Sequence, residues 1–139
     1  MKFRPQIKIL FLLLLACIAM SCTSDRDPEL EKKYKIGGLY SVTSADAGFN
    51  VVKIIALTKG IVHIRLYKNT FQTRPDTVDP ATLSLGGIDD PEGFGIGHLP
   101  MDKDVFEKMQ PIFIKQESVS DEELEGFKFW KKETGGFFN

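Results

Sequence analysis

Two β-branched runs, at 49–58 and 61–67, are separated only by Lys59-Gly60. A two-residue link with glycine second suits a tight hairpin, because such turns match the twist of the strands they join. That turn sets a register in which Leu57 faces Val62, Ile55 faces Ile64 and Lys53 faces Leu66. These side chains share one mostly apolar face, expected in the core. The other face pairs Ala56 with His63, Ile54 with Arg65 and Val52 with Tyr67, and carries His63, Arg65 and Tyr67 as a stripe of period two.

Around this hairpin the signals are shorter. Gly37-Gly38 breaks the chain before a strand at 39–44, and 45–48 reads as a turn. Residues 69–80 read as a polar loop, 82–85 as a short strand and 86–97 as a glycine-rich acidic loop. Asp102 suits the cap of a short helix through Met109 with Val105, Phe106 and Met109 on one face, ended by Pro111. Ile112 to Lys115 reads as a strand.

Ser120-Asp121-Glu122-Glu123 has the form of a capping box. Leu124, Phe127 and Trp130 follow at helical spacing, with acids in the first turn and Lys128, Lys131 and Lys132 in the last, as the helix dipole favours. Gly135-Gly136 closes the helix. The pattern predicts a single α+β domain over 36–139. Its form is a small antiparallel sheet or SH3-like barrel with a tight hairpin, a short helix and a C-terminal helix. Trp130, Phe127 and Phe106 are expected to cover the core face together.

The start of the chain is of another kind. Lys2, Arg4 and Lys8 precede an unbroken apolar run at 9–20, too short to span a bilayer and of the length of a signal-peptide core. Ala19-Met20-Ser21-Cys22 resembles a bacterial lipobox, although Ala19 stands where that family usually has Leu. Leu14-Leu15-Ala16-Cys17 has an acceptable form as well. Cys22 is preferred, since cleavage at Cys17 would leave Ile18, Ala19 and Met20 exposed. The resemblance implies a signal peptide over 1–21, lipid on Cys22 and a membrane anchor of several acyl chains, palmitate among them. Thr23 after the cysteine implies the outer membrane, with the periplasmic or surface face left open, and Asp25 and Asp27 resemble the acidic start of some surface-exported lipoproteins. Residues 22–35 then read as a polar tether spanning ~20 Å root-mean-square, with a helical turn or two within 29–35 left open.

Removing 1–21 takes three of the 18 basic residues and none of the 19 acidic ones, leaving 118 residues at net charge −4. No basic stripe suits nucleic acid. Both cysteines lie at or before Cys22, so the mature domain has no internal disulfide, thiol nucleophile or thiolate metal ligand.

The remaining candidates for chemistry are thin. The loop at 86–97 lacks Gly-Lys-Ser/Thr, and Gly93-x-Gly95-x-Gly97 lacks dinucleotide spacing. It reads as a compact loop with glycines at positive φ. His63, His98, Asp89, Asp90 and Glu92 could converge on zinc or iron, but no ligand spacing supports it. His63 is expected at the surface and His98 as a hydrogen-bonded structural residue. Ser41, Ser44, Ser84, Ser118 and Ser120 lack a nucleophile elbow. No catalytic residue, metal or cofactor is therefore expected.

Recognition is left. His63, Arg65 and Tyr67, with Trp130 and Phe137-Phe138, are of the types enriched at protein interfaces. The stripe is either such a surface or is covered by the C-terminal helix with Arg65 paired to an acid. Val62-His63-Ile64-Arg65-Leu66-Tyr67, Gly95-Ile96-Gly97-His98-Leu99-Pro100 and Glu123-Leu124-Glu125-Gly126-Phe127-Lys128-Phe129-Trp130 resemble blocks in small bacterial proteins of unknown function, which brings no activity with it. The expectation is a lipid-anchored envelope protein that is no enzyme and binds an unknown protein partner, in one form an immunity-type inhibitor of an incoming toxin. The alternatives are a structural or accessory envelope lipoprotein and a metal-dependent enzyme.

Overall fold

The computed structural model describes residues 25–133. Helix α1 (Pro28–Lys33) leads into β1 (Gly38–Thr43), β2 (Phe49–Thr58) and β3 (Ile61–Phe71). A 3-10 turn (Pro80–Thr82), β4 (Ile96–Asp102), α2 (Lys103–Lys108), β5 (Ile112–Gln116) and α3 (Glu125–Glu133) follow. The strands form one antiparallel sheet in the order β4-β3-β2-β1-β5. β4 and β5 are its edges, so the sheet is open and the barrel alternative is not realised. The cysteines, the apolar run, Phe137-Phe138 and the glycines at 135–136 lie outside the described residues.

The hairpin forms as the turn dictates. Thr58 pairs with Ile61, Leu57 with Val62 and Ala56 with His63, and Gly60 takes φ +71°. Beyond that the expected register slips. Ile54, not Ile55, faces Ile64, while Lys53 faces Arg65 and Val52 faces Leu66. Ile55 is the extra residue of a bulge, which shifts every earlier β2 side chain to the opposite face. The physical gain is plain: Val52 and Ile54 replace Lys53 on the apolar face, and Lys53 turns to a side where an acid waits.

The two faces have different covers. One packs Tyr40, Val42, Val52, Ile54, Leu57, Val62 and Ile64 of the strands against Leu30 of α1, Tyr34 at its end and Phe106 of α2. The rings of Tyr34, Tyr40 and Phe106 meet edge-on, with centroids 5.2–6.5 Å apart. The other face packs Leu39, Val51 and Tyr67 against Phe71, Val78, Leu83, Leu85 and Ile114, while α3 crosses it near β4. Phe106 and Trp130 thus lie on opposite sides of the sheet, not together on one face. Val105 is exposed, unlike Phe106 and Met109.

Several boundaries differ from expectation. Leu30 and Tyr34 are buried, so the folded unit takes in α1 and the expected tether to residue 35 is shorter. Asp27 caps α1 by accepting from the N–H groups of Glu29 and Leu30. The stretch 82–85 is no strand. Ser84 and Leu85 accept backbone bonds from Lys68 and Gly95 without joining the sheet, while β4 begins inside the expected glycine-rich loop. Gly86 and Gly93 there have positive φ.

Candidate functional site

Residues on the second face were the sequence candidates, and α3 covers them. Ser120 and Glu123 form the reciprocal capping box, Ser120 N–H donating to Glu123 Oε2 at 2.9 Å and Glu123 N–H to Ser120 Oγ at 3.2 Å. The cap aims Glu123 at Lys53, whose Nζ lies 2.9 Å from Oε1. Burial alone would raise the Glu123 carboxyl, but the Ser120 N–H and the Lys53 ammonium hold it below the usual carboxylate range. From there α3 runs towards the β2–β3 turn and lays Phe127 and Trp130 against His63, with ring centroids 4.7 and 4.6 Å away. The helix can come this close because residue 126 is glycine: a Cβ there would stand 2.5 Å from the His98 Cβ.

His63 is fully buried, so the expectation of a surface histidine is corrected. Its Nε2 lies 2.8 Å from Thr58 Oγ1, its Nδ1 lies 3.0 Å from His98 Nε2, and the two imidazoles stack with planes 12° apart. A hydrogen bond between the facing nitrogens needs one donor and one acceptor, so both rings cannot be cations at once. Burial, and then the neighbouring His98, pushes His63 down to about 3; burial also lowers His98. The rings converge although 35 residues separate them. Asp90 and Glu92 do not join them, as both turn to Lys68. Among the described residues no group of three or more His, Cys, Asp or Glu is placed to hold a metal.

Tyr67 is buried, and burial raises its phenol. Arg65, half-buried, lies beside Tyr67 and Glu123. The three residues of the stripe therefore share a face as the alternation requires; His63 lies beneath α3, while Tyr67 is buried in the cluster with Val78, Leu83, Leu85 and Ile114. Ser41 is buried on the same side and accepts from Arg74, which also bonds the Ser41 and Gln110 carbonyls. Lys53–Glu123 and Arg74–Ser41 escaped sequence reasoning. A lysine inside the otherwise apolar run 51–57 was the one available sign of the first.

The open surface is elsewhere, at the β5 edge. Ile112 is 53% and Phe113 41% exposed, with Ile36 exposed nearby. Tyr40 meets the Phe113 ring edge-on at 5.5 Å and Lys35 Nζ stands 4.6 Å from its centroid. Beside it lies a hollow of about 630 Å³ lined by Tyr34, Lys35, Tyr40, Pro111 and Phe113 among others. The edges differ. β4 carries Pro100, a residue that blunts edges, whereas β5 has no proline within Ile112–Gln116 and only Lys115 as a charge. Sequence reading found the strand but not its place at the sheet's end, which depends on long-range pairing.

Among the described residues no helix is long and apolar enough to cross a membrane. No protein-family model, curated protein or solved structure matches the chain.

Proposed function

We propose that this chain is a lipoprotein of the bacterial envelope, held at the outer membrane through Cys22, whose folded domain is a non-catalytic protein-binding module. The observation that supports binding is the β5 edge. Among the described residues β5 pairs with β1 on one side and ends the sheet on the other, and it presents the exposed side chains of Ile112 and Phe113 beside an aromatic hollow. Such an edge accepts an extended segment of a partner as a sixth strand, with backbone hydrogen bonds giving affinity and alternate side chains giving selectivity. An immunity-type inhibitor that meets an incoming toxin is one form of this function. Of the stripe, His63 then serves the domain indirectly, by seating α3 through Phe127 and Trp130.

The test is crosslinking in intact envelopes, with protein tagged at the C-terminus, comparing the native chain with Phe113→Asp. Phe113 is exposed enough for the change to leave the fold intact. A dominant partner captured by the native chain and lost in the variant is the expected result. Capture that is undiminished in the variant removes β5 as the site, and no capture at native anchoring removes the binding function.

A further inference from the structure

The first described residues are bonded to one end of the sheet. Asp25 Oδ2 lies 2.9 Å from Lys131 Nζ near the end of α3. Asp27 Oδ2 accepts from the N–H of Gly60 at 3.0 Å, at the β2–β3 turn, while Oδ1 of the same carboxylate caps α1. The chain thus joins the domain beside the hairpin turn. Asp25 stands three residues on from Cys22, and three residue steps span at most ~11 Å however they are arranged. A tether of ~20 Å, free to turn in any direction, is not what this geometry allows.

We infer that the domain is held against the lipid bilayer by its turn end, with Lys59 and the last turn of α3 at the headgroups and the β5 edge held away from them. This deepens the lipoprotein reading and rests on lipid at Cys22. The surface next to the joining point suits the headgroup layer. A hollow of about 330 Å³ lies there, lined by Asp25, Thr58, Lys59, Ile61, Trp130 and Lys131, a mixture of basic, apolar and aromatic side chains with one acid. Lys132 is exposed on α3 and Phe129 is 67% exposed. Basic side chains with an aromatic among them are the mixture that lies at a membrane interface. Acids are present too: Asp25 pairs with Lys131, and Glu133 ends α3. The orientation therefore comes from the short link more than from net charge.

The consequence reaches the partner edge. Ile112 pairs at the level of Ser41 and Val51, ~23 Å along β2 from the turn at ~3.3 Å per residue. A partner strand would meet β5 clear of the lipid.

The experiment uses the full lipidated chain in vesicles of phosphatidylethanolamine and phosphatidylglycerol. Beyond Cys22 there is no other cysteine, so Lys59→Cys, Lys132→Cys and Lys115→Cys can each carry one spin label. Relaxation by lipid-soluble oxygen, relative to a water-soluble nickel chelate, reads depth. The ratio is expected to be severalfold higher at 59 and 132 than at 115. Equal ratios at the three positions, or the highest at 115, overturn the orientation. Mass analysis of the same samples separates the two levels. Lipid on Cys17 in place of Cys22 would allow a link of ~28 Å and overturn the orientation while leaving a lipoprotein. A chain without lipid overturns both.

Discussion

The two faces of the sheet are held by different physics. The face under α1 and α2 is an apolar and aromatic layer in which Phe106 and six aliphatic strand residues are almost wholly withdrawn from water. The face under α3 and the 72–85 segment holds the buried polar residues Ser41, Lys53 and His63. Each meets a side chain of its own face or cover: Arg74 for Ser41, Glu123 for Lys53, and Thr58 and His98 for His63. Among the described residues no buried side-chain nitrogen or oxygen lacks a partner. Apolar burial is non-directional and tolerates some sliding of its cover. Partnered polar groups do not, since a shift strands a buried charge or ring nitrogen at full desolvation cost. The first face supplies stability and the second supplies the position of α3.

Glu123→Ala should break the polar face most severely. It leaves Lys53 charged, buried and unpaired, at about 3–5 kcal/mol, and removes half of the capping box, at about 1 kcal/mol. Denaturant unfolding measures the loss. Lys53→Met combined with Glu123→Leu should recover most of the charge part, because no buried ion remains, and a double variant as unstable as Glu123→Ala would contradict the assignment. Phe106→Ala tests the apolar face, with an expected cost of about 3–5 kcal/mol. Here Phe106→Leu should recover much of the loss, as volume rather than pairing is at stake.

Acid acts on the polar face through its buried histidine. At pH 7 both folded and unfolded chains hold His63 neutral, so it contributes nothing to the difference. Below about pH 6.5 the unfolded chain takes up a proton that the folded site refuses until about pH 3. Stability should therefore fall as pH falls through that window, by about 2–3 kcal/mol for His63 at pH 4.5. Unfolding curves of the native chain and His63→Gln between pH 7 and about 4.5 check this, and parallel curves for the two would refute it. Ser120→Ala is the mildest probe. It removes the cap hydroxyl but leaves Glu123 on Lys53, and should cost about 1 kcal/mol. A much larger loss would mean that the hydroxyl, and not the Ser120 N–H alone, is needed to hold Glu123 on Lys53.

Legibility in the sequence followed the range of the interaction. The Lys59-Gly60 turn, the Asp102 cap and the Ser120–Glu123 box were readable because each is made within a few residues, and each forms as expected. The bulge at Ile55 was not. It costs a local ladder irregularity and is repaid by moving Lys53 to Glu123, 70 residues away. For the same reason the stripe of His63, Arg65 and Tyr67 was correctly put on one face but could not be assigned to surface or interior. That depends on where α3 lands over His63, with Gly126 passing His98, and on the 72–85 segment over Tyr67.

Local chemistry was thus enough to determine the hairpin turn, the Asp102 cap of α2 and the α+β class, since turn geometry, capping and periodicity act over short stretches of chain. The start of α3 was not fixed in this way, as the helix begins at Glu125, one turn after its capping box. Tertiary structure alone decided which strands became edges, which face received the lysine and the histidine, and where residues 25–27 meet the sheet. Those outcomes depend on pairing between distant segments, and the cost of leaving a buried polar group without its partner selects one arrangement among several that the local pattern permits.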